Sequence, residues 1–259
     1  MKKISLLLPC LLIGLWQLAC SLGLVSGDLV ASPAGVLAGL VDLCLTGMPP
    51  GRLLPGHILH SLGRISLGFL LAATLGLPLG ILTGGNPRVR SLIMPLIDFF
   101  RPIPPLAWIP MAIIWFGIGF KSAVFIIFLG AFFPIALNTC IGVATVDRIY
   151  LDVARVFNAS RLDIWRKVLL PGALPSIFTG LRLGLGIGWM TLVAAEFTGI
   201  KDGYGLGYMI MTARDLQRID EVMAGMAVIG LIGLAIEWGL AKLAGRFLGG
   251  RRVGRWIRI

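Results

Sequence analysis

Long apolar segments are the feature of this sequence that most constrains its fold. A helix needs about 20 apolar residues to cross the hydrocarbon core of a bilayer, and we predict six spans of this kind. They cover residues 4–25, 58–83, 92–117, 122–146, 173–195 and 222–245. With 57% hydrophobic and 14% charged residues, the chain is far more apolar than a soluble domain. The prediction is therefore an all-α polytopic membrane protein with six transmembrane helices.

The positive charges between these spans predict their orientation. Cytoplasmic loops of membrane proteins carry more Lys and Arg than external loops do. Most of the 23 Lys and Arg residues lie near the two termini and in the segment 147–172, which alternating spans place on one side of the membrane. We therefore expect both termini and this segment in the cytoplasm. The net charge of +11 does not indicate nucleic-acid binding, because no basic face lies on a soluble domain.

This pattern divides the chain into three parts. Residues 1–56 hold the first span and an amphipathic segment at 34–45, which we expect along the external membrane face. Residues 57–247 form the core around the cytoplasmic loop, and residues 248–259 form a basic cytoplasmic tail.

The cytoplasmic loop contains a polar and basic segment, Asp152–Pro171, that predicts two short helices joined by a bend. Asn158 follows a run of helix-forming residues, and Asn readily takes the left-handed conformation found at helix ends. Considered alone, such a segment could instead be an amphipathic helix on the lipid surface.

The second of these helices has a recognisable start and stop. Ser160 and Asp163 match the N-terminal capping pattern, so we predict that the helix begins at Arg161. Pro171 is expected to end it.

The spacing within this segment resembles the EAA loop of ABC-importer permeases. That pattern reads Glu-Ala-Ala, three residues, Gly, nine residues, Ile, one residue and Leu-Pro, and it is matched without a gap, with four substitutions, by Asp152, Val153, Ala154, Asn158, Val168, Leu170 and Pro171. In that family the loop forms coupling helices that dock on a cytoplasmic ATPase. The resemblance implies a coupling role for Asp152, Ala154, Arg155, Asn158, Ala159, Ser160, Arg161, Asp163, Trp165, Leu170 and Pro171.

From about residue 57 to 247, the chain is similar to the sulfonate, taurine and nitrate branch of these permeases. Motifs that carry the likeness include residues 61–64, 101–107, 115–119, 138–139, 180–182, 194–196 and 205–209. The resemblance implies a type I ABC importer permease fold in the bacterial inner membrane. It also implies a second copy of this chain, two copies of an ABC ATPase and an extracytoplasmic substrate-binding protein. ATP and Mg would bind to the ATPase, and this chain would need no cofactor.

The function implied is import of a small organic sulfonate, or of a related oxyanion such as nitrate or bicarbonate, by alternating access. An alternative within transporters is a permease for a neutral heterocycle, such as a thiamine-precursor pyrimidine or riboflavin. A channel or structural membrane subunit is a further alternative, which would make the central loop a passive surface helix.

Three arginines fall within predicted spans, where a charge is costly and marks either a pathway or a buried pair. One interpretation is that Arg64, Arg101 and Arg182 line a path that favours an anion. The other is that they pair with carboxylates such as Asp98 or Glu237. The candidates for the translocation path are Arg64, Arg101, Asn138, Arg182 and Glu196, although snorkelling near the membrane surface would also explain Glu196.

The sequence offers little for catalysis. No paired carboxylates or nucleophile–base pair lie in the spans, and no phosphate-binding glycine loop precedes a lysine. His57 and His60 lack a third ligand, so we predict no metal site and place both at the membrane interface. Gly184, Gly186 and Gly188 lie within a span, where small residues allow close helix packing.

Overall fold

The computed structural model describes residues 4–27, 29–49, 51–198 and 203–247, and these residues are almost entirely helical. The predicted basic tail lies outside the described residues. The first helices are α1 (Ile4–Ser21), α2 (Pro33–Leu45), α3 (Leu54–Gly85), α4 (Pro87–Phe100), α5 (Ile109–Phe116) and α6 (Phe120–Ala144). They are followed by α7 (Arg148–Val156), α8 (Arg161–Ile164), α9 (Leu170–Phe197), α10 (Leu206–Asp215) and α11 (Ile219–Phe247).

Four helical segments are long and apolar enough to cross a membrane among the described residues. They are Leu54–Gly85, Phe120–Ala144, Arg161–Phe197 and Ile219–Phe247. A fifth span is possible by length and composition if α4 and the following helical residues Pro105–Phe116 are counted together. The first predicted span forms α1, a shorter helix of 18 residues with Pro9 inside it, and its crossing of the membrane stays a prediction.

The third predicted span is broken, as its prolines indicate. α4 ends at Phe100, a short 3₁₀ turn covers Pro105–Trp108, and α5 follows directly. The two halves are bent by 80°. Proline has no backbone N–H and clashes with the preceding helical turn, so Pro102, Pro104 and Pro105 cannot continue α4. Arg101 therefore lies at the end of a helix and not within a continuous span.

α6 is the central helix of the region Arg64–Ala195. Half of its most apolar window is buried, against 22 to 39% for the other three long helices. A stripe of glycines on α3, spaced by multiples of four residues, packs against it. A Cβ added at these positions would lie 2.5 to 3.1 Å from α6 atoms, which is closer than packed carbon atoms approach; the glycines are Gly68, Gly76, Gly80 and Gly84.

α9 contacts α6 through a second glycine stripe. A Cβ at Gly180 would lie 2.8 Å from Asn138, and one at Gly184 would lie 2.9 Å from the carbonyl oxygen of Ala131. The packing predicted for Gly184 is confirmed. It is wrong for Gly186, because a Cβ there would meet nothing within 4 Å. The difference follows from helix geometry, in which residues four apart share a face and residues two apart do not.

The chain forms two compact units, one of which combines the residues up to Gly63 with Glu196–Ile232. Within this unit, helix α10 lies in the connection between the fifth and sixth predicted spans. α2 packs closely on the start of α11, because a Cβ at Gly39 would lie 2.8 Å from the backbone of Asp220. Arg218 pairs with both Asp42 and Glu221. Hydrogen bonds from Thr46 and Glu221, together with the charge of Arg218, hold the pKa of Asp42 below its ordinary value.

Candidate coupling segment and translocation path

The first coupling helix and its bend form as the sequence predicts. The side chain of Asp147 accepts a hydrogen bond from the Ile149 N–H at 3.0 Å, which caps α7. Asn158 adopts the left-handed conformation, with φ of +50°. The Ala159 N–H then donates to the Ala154 carbonyl oxygen at 3.0 Å, which closes the helix end. Asn158 therefore forms the predicted bend, at the position that is glycine in the EAA pattern.

The second coupling helix begins at Arg161, as predicted. The Ser160 hydroxyl accepts from the Asp163 N–H at 3.1 Å and donates to the Asp163 carboxylate at 2.6 Å. Lys167 lies 2.7 Å from the same carboxylate and adds an ion pair one turn further on. The start of this helix is thus fixed by residues within one turn of it.

The prediction that Pro171 ends this helix is wrong. Trp165–Leu169 forms a π-helical turn, and the chain continues through Pro171 into α9 without a break. Within this turn the Leu170 N–H donates to the carbonyl oxygen of Trp165, five residues earlier. The wider turn accommodates a proline that would clash with the carbonyl four residues before it in a regular helix. The second coupling helix and the fifth predicted span are therefore one continuous helical segment.

Trp165 packs against the membrane-spanning helices. It lies beside a buried cluster formed by Val143, Leu169, Ala173 and Ile177. Its ring covers the end of α3, because a Cβ added at Gly85 would lie only 2.1 Å from the ring atom Cη2. This side chain therefore joins the coupling segment to α3 and does not face outward.

An exposed apolar stripe runs along α7 instead, and the sequence analysis did not identify it. Val156 and Phe157 are each 80% exposed, and the other members are Ile149, Tyr150 and Val153. The spacing of one, four, seven and eight residues after Ile149 places them on one face of a helix and was available as a signal. Asp152 and Arg155, which were predicted coupling residues, form an exposed ion pair at 3.0 Å on this helix.

The remaining predicted coupling residues lie at different depths. Ala154, Ala159 and Leu170 are partly buried, whereas Arg161 and Pro171 are exposed. The coupling segment thus has an outward surface on α7 and an inward anchor at Trp165.

The three intramembrane arginines have different surroundings. Arg64 is completely buried and makes contacts in the structure. Arg182 pairs with Glu237, and its Nε donates to that carboxylate at 3.0 Å. Among the described residues, the guanidinium of Arg101 has no hydrogen bond or ion pair, and the pairing with Asp98 that the sequence suggested is not formed. The interpretation as a residue paired with a carboxylate therefore applies to Arg182 and not to Arg101.

Glu196 is completely buried, so the interpretation as a snorkelling side chain is wrong. Its carboxylate accepts a hydrogen bond from the Ser61 hydroxyl at 2.8 Å and from the Gly207 N–H at 2.9 Å. The Ser61 oxygen in turn accepts from the Leu206 N–H at 2.9 Å. These bonds satisfy backbone donors at the start of α10, where a negative charge is favourable. Glu196 therefore fixes α10 to the end of α9 and the first turns of α3.

The histidines and Asn138 are bonded to nearby backbone atoms. His57 is fully buried, with Nδ1 3.0 Å from the Gly205 carbonyl oxygen, and its interfacial position in the membrane stays a prediction. His60 stacks on Tyr204 with ring centroids 4.6 Å apart. The Asn138 amide donates to the Pro134 carbonyl oxygen on its own helix at 2.8 Å. Within the described part of the chain, no three His, Cys, Asp or Glu side chains are grouped as a metal site would require.

A helical core with long apolar spans, a broken third span and a bent segment between two of the spans defines a polytopic transport permease. The model of the binding-protein-dependent transport system inner membrane component family matches residues 76–237, which is more than half of the chain. The chain belongs to this family of ABC importer permeases.

Sequence comparisons indicate to which branch of this family the chain is similar. The chain is 41% identical over 235 residues to the taurine transport system permease protein of Escherichia coli (strain K12), covering 91% of this chain and 85% of that protein. It is 41% identical over 229 residues to a protein assigned as an aliphatic sulfonates transport permease in Bacillus subtilis (strain 168), covering 88% and 80%. The nitrate import permease protein of Leptolyngbya laminosa is 36% identical over 239 residues, covering 91% and 84%.

Solved structures agree on the fold. An inward-facing structure of the MetNI methionine ABC transporter has a TM-score of 0.64 with 20% sequence identity, and the match covers 74% of this chain and 94% of that chain. Family membership makes this chain a non-enzymatic, multi-pass membrane subunit whose ATPase resides on a partner. Permeases of this family bind no cofactor themselves and work with an ATPase and a substrate-binding protein.

Proposed function

We propose that this permease imports a small organic sulfonate, such as taurine or a short alkanesulfonate, or a related oxyanion such as nitrate or bicarbonate. The observation that carries the proposal is the identity of 36 to 41%, over most of the chain, to permeases named for taurine, sulfonates and nitrate. Arg101, whose guanidinium has no hydrogen bond or ion pair within the described part of the chain, is consistent with an anionic substrate.

Uptake by cells tests the substrate class. We expect cells that carry this gene to accumulate labelled taurine or ethanesulfonate, and we expect deletion of the gene to abolish that uptake. Unlabelled nitrate, bicarbonate and an aminopyrimidine serve as competitors. Competition by oxyanions alone supports the proposal, whereas unchanged sulfonate and nitrate uptake in the deletion strain would refute it.

We further propose that α7 docks on the ATPase through its exposed apolar stripe. Five apolar side chains at 50 to 80% exposure would leave a hydrophobic face in water, since the positive charges of this loop predict a cytoplasmic position. The Asn158 bend sets the direction of α8, and the continuous helix through Pro171 gives a rigid connection from the loop to α9. Movement of the ATPase would therefore reach the spans through α9 and through Trp165.

The docking proposal has a direct test. Phe157→Ser should weaken binding of the ATPase about thirtyfold, because truncating an aromatic hot-spot residue at the centre of an interface removes about 2 kcal/mol. Leu29→Ser is the matched control, because Leu29 is similarly exposed at 77% but lies between the first two predicted spans, on the side predicted to be external. Equal recovery of the ATPase with both purified variants would exclude this face.

A complete importer would contain two copies of this permease and two ATPases, with both permease termini in the cytoplasm. The Arg182–Glu237 pair supports a partner within the membrane. Its side chains are 48% and 51% exposed near the middle of long apolar helices, where contact of a charge with lipid is unfavourable. A second subunit or a water-filled path between two subunits would cover this pair. Cross-linking of single cysteines placed beside Glu237 tests for the second copy.

A further inference from the structure

The broken third span, α6 and Ile187 of α9 line an open cavity beside Arg101. Its volume is about 280 Å³. Apart from Arg101, its lining is apolar, and it consists of Ile103, Pro105, Leu129, Gly130, Phe133, Pro134, Leu137 and Ile187. The cavity therefore combines one cation with an apolar wall.

The charge of Arg101 lacks a partner among the described residues. α4 has 14 residues and rises about 1.5 Å per residue, so Arg101 lies up to about 21 Å along the helix from its predicted cytoplasmic start. That distance corresponds to a position within a hydrocarbon core about 30 Å thick. Because a guanidinium stays protonated and a lone charge is unfavourable at this depth, an anion beside it would be stabilised.

We propose that this cavity is a binding site for an anion of single charge that carries a short apolar tail, with Arg101 holding the anionic group. The inference rests on the proposed import of sulfonates or related oxyanions and selects alkanesulfonates of about two to four carbons within that class. It assigns the substrate contact to Arg101 and not to Arg64 or Arg182.

The size and the lining of the cavity favour this ligand over nitrate. At about 30 Å³ per water molecule, the cavity has room for roughly nine waters. Nitrate would occupy a small part of it and would leave the apolar wall in contact with water. A sulfonate group beside Arg101, with its hydrocarbon tail toward Phe133 and Leu137, would fill the space and bury apolar surface.

The single charge of the cavity lining also disfavours ligands that are neutral or carry two negative charges. A neutral heterocycle would leave the guanidinium without a counter-charge. A dianion such as sulfate would keep one charge uncompensated, because Arg101 is the only charged residue in the described lining. The site should therefore discriminate by charge at one end and by tail length at the other.

The test uses the full complex of permease, ATPase and binding protein in proteoliposomes, with initial uptake of labelled ethanesulfonate as the readout. Arg101→Gln should lower uptake about ten- to a hundredfold, which is the range expected for losing a charged hydrogen bond. Arg101→Lys should retain a larger share of uptake, because it keeps the charge. Arg90→Gln is the matched control, since it removes the same charge from an exposed position on the same helix.

Chain-length preference provides a second, independent readout. Phe133→Ala removes a ring from the apolar wall and enlarges the cavity, so it should shift the preferred substrate from ethanesulfonate toward hexanesulfonate while ATP hydrolysis continues. An unchanged preference in this variant would overturn the proposal, and that result decides the question even where Arg101→Gln fails to assemble.

The outcomes separate this inference from the proposed function. Import of ethanesulfonate by the wild-type complex, with the same rate in Arg101→Gln, would refute the inference and leave the proposed function intact. Arg101 would then serve as a charge that stabilises the C-terminal end of α4. Failure of the wild-type complex to import any sulfonate or oxyanion would refute both.

Discussion

The contact between Gly85 and Trp165 predicts how one methyl group would disturb the coupling segment. In Gly85→Ala the new Cβ would lie 2.1 Å from Cη2 and 2.5 Å from Cζ2 of the Trp165 ring. Carbon atoms in contact lie about 3.5 Å apart, so the ring has to move by about 1.4 Å. The indole ring is rigid, and its partners in the buried cluster limit its freedom. The movement should therefore displace α8 and the π-helical turn.

The expected cost is about 1 to 3 kcal/mol for overpacking. Gly63→Ala is the matched control on the same helix, because a Cβ there would meet nothing within 4 Å. It should stabilise α3 slightly, by up to about 1 kcal/mol, through the higher helix propensity of alanine. The two variants should thus differ by about 2 kcal/mol in thermal unfolding of the purified complex.

Transport per ATP hydrolysed supplies the functional readout. Gly85→Ala should lower this ratio, because a displaced Trp165 transmits movement less well to α3. In a Trp165→Ala background, the same change should cost little, since the ring that it strikes is absent. Equal unfolding temperatures for Gly85→Ala and Gly63→Ala would refute the predicted clash between the Cβ added in Gly85→Ala and the Trp165 ring. An equal loss of stability from Gly85→Ala in the wild-type and Trp165→Ala backgrounds would refute it as well.

Three further perturbations test other parts of the structure. Asn158→Val should reduce uptake without loss of folded protein, because a β-branched residue disfavours φ of +50°. Asn158→Gly should preserve uptake, and wild-type uptake in the valine variant would contradict a role for the bend. Glu196→Ala should destabilise the protein by about 1 to 3 kcal/mol, measured by thermal unfolding, because it leaves the buried Ser61 hydroxyl and a backbone N–H of α10 without their acceptor. Gly184→Leu should prevent close packing of α9 on α6 and lower the yield of folded protein, whereas Gly186→Leu should have little effect. Similar yields for the two variants would argue against helix packing through the glycine stripe of α9.

Local features of the chain were predictable from the sequence. Long apolar runs form helices in lipid because the backbone must satisfy its own hydrogen bonds there. The Asn158 bend and the Ser160 cap depend on residues within one turn, so both were identified correctly. Prolines after Arg101 removed the backbone donors that α4 needs, so the break was also predictable.

The effect of Pro171 was not predictable in the same way. A proline usually ends a helix, yet a π-helical turn carries the chain past this one. The buried cluster around Leu169 and Ala173 holds the helix on both sides of the turn, and this packing outweighs the local preference.

The sequence by itself determined that this protein is a helical membrane permease with a bent coupling segment, because those properties arise from hydrophobicity and from neighbouring residues. Only the tertiary structure decided which side chains meet. It paired Arg182 with Glu237, 55 positions away, and buried Glu196 beside Ser61, 135 positions away. It also turned Trp165 inward and left Arg101 beside a cavity. The physical reason is that charge pairing and packing depend on helices that are distant in sequence, and one-dimensional patterns do not specify which faces come together.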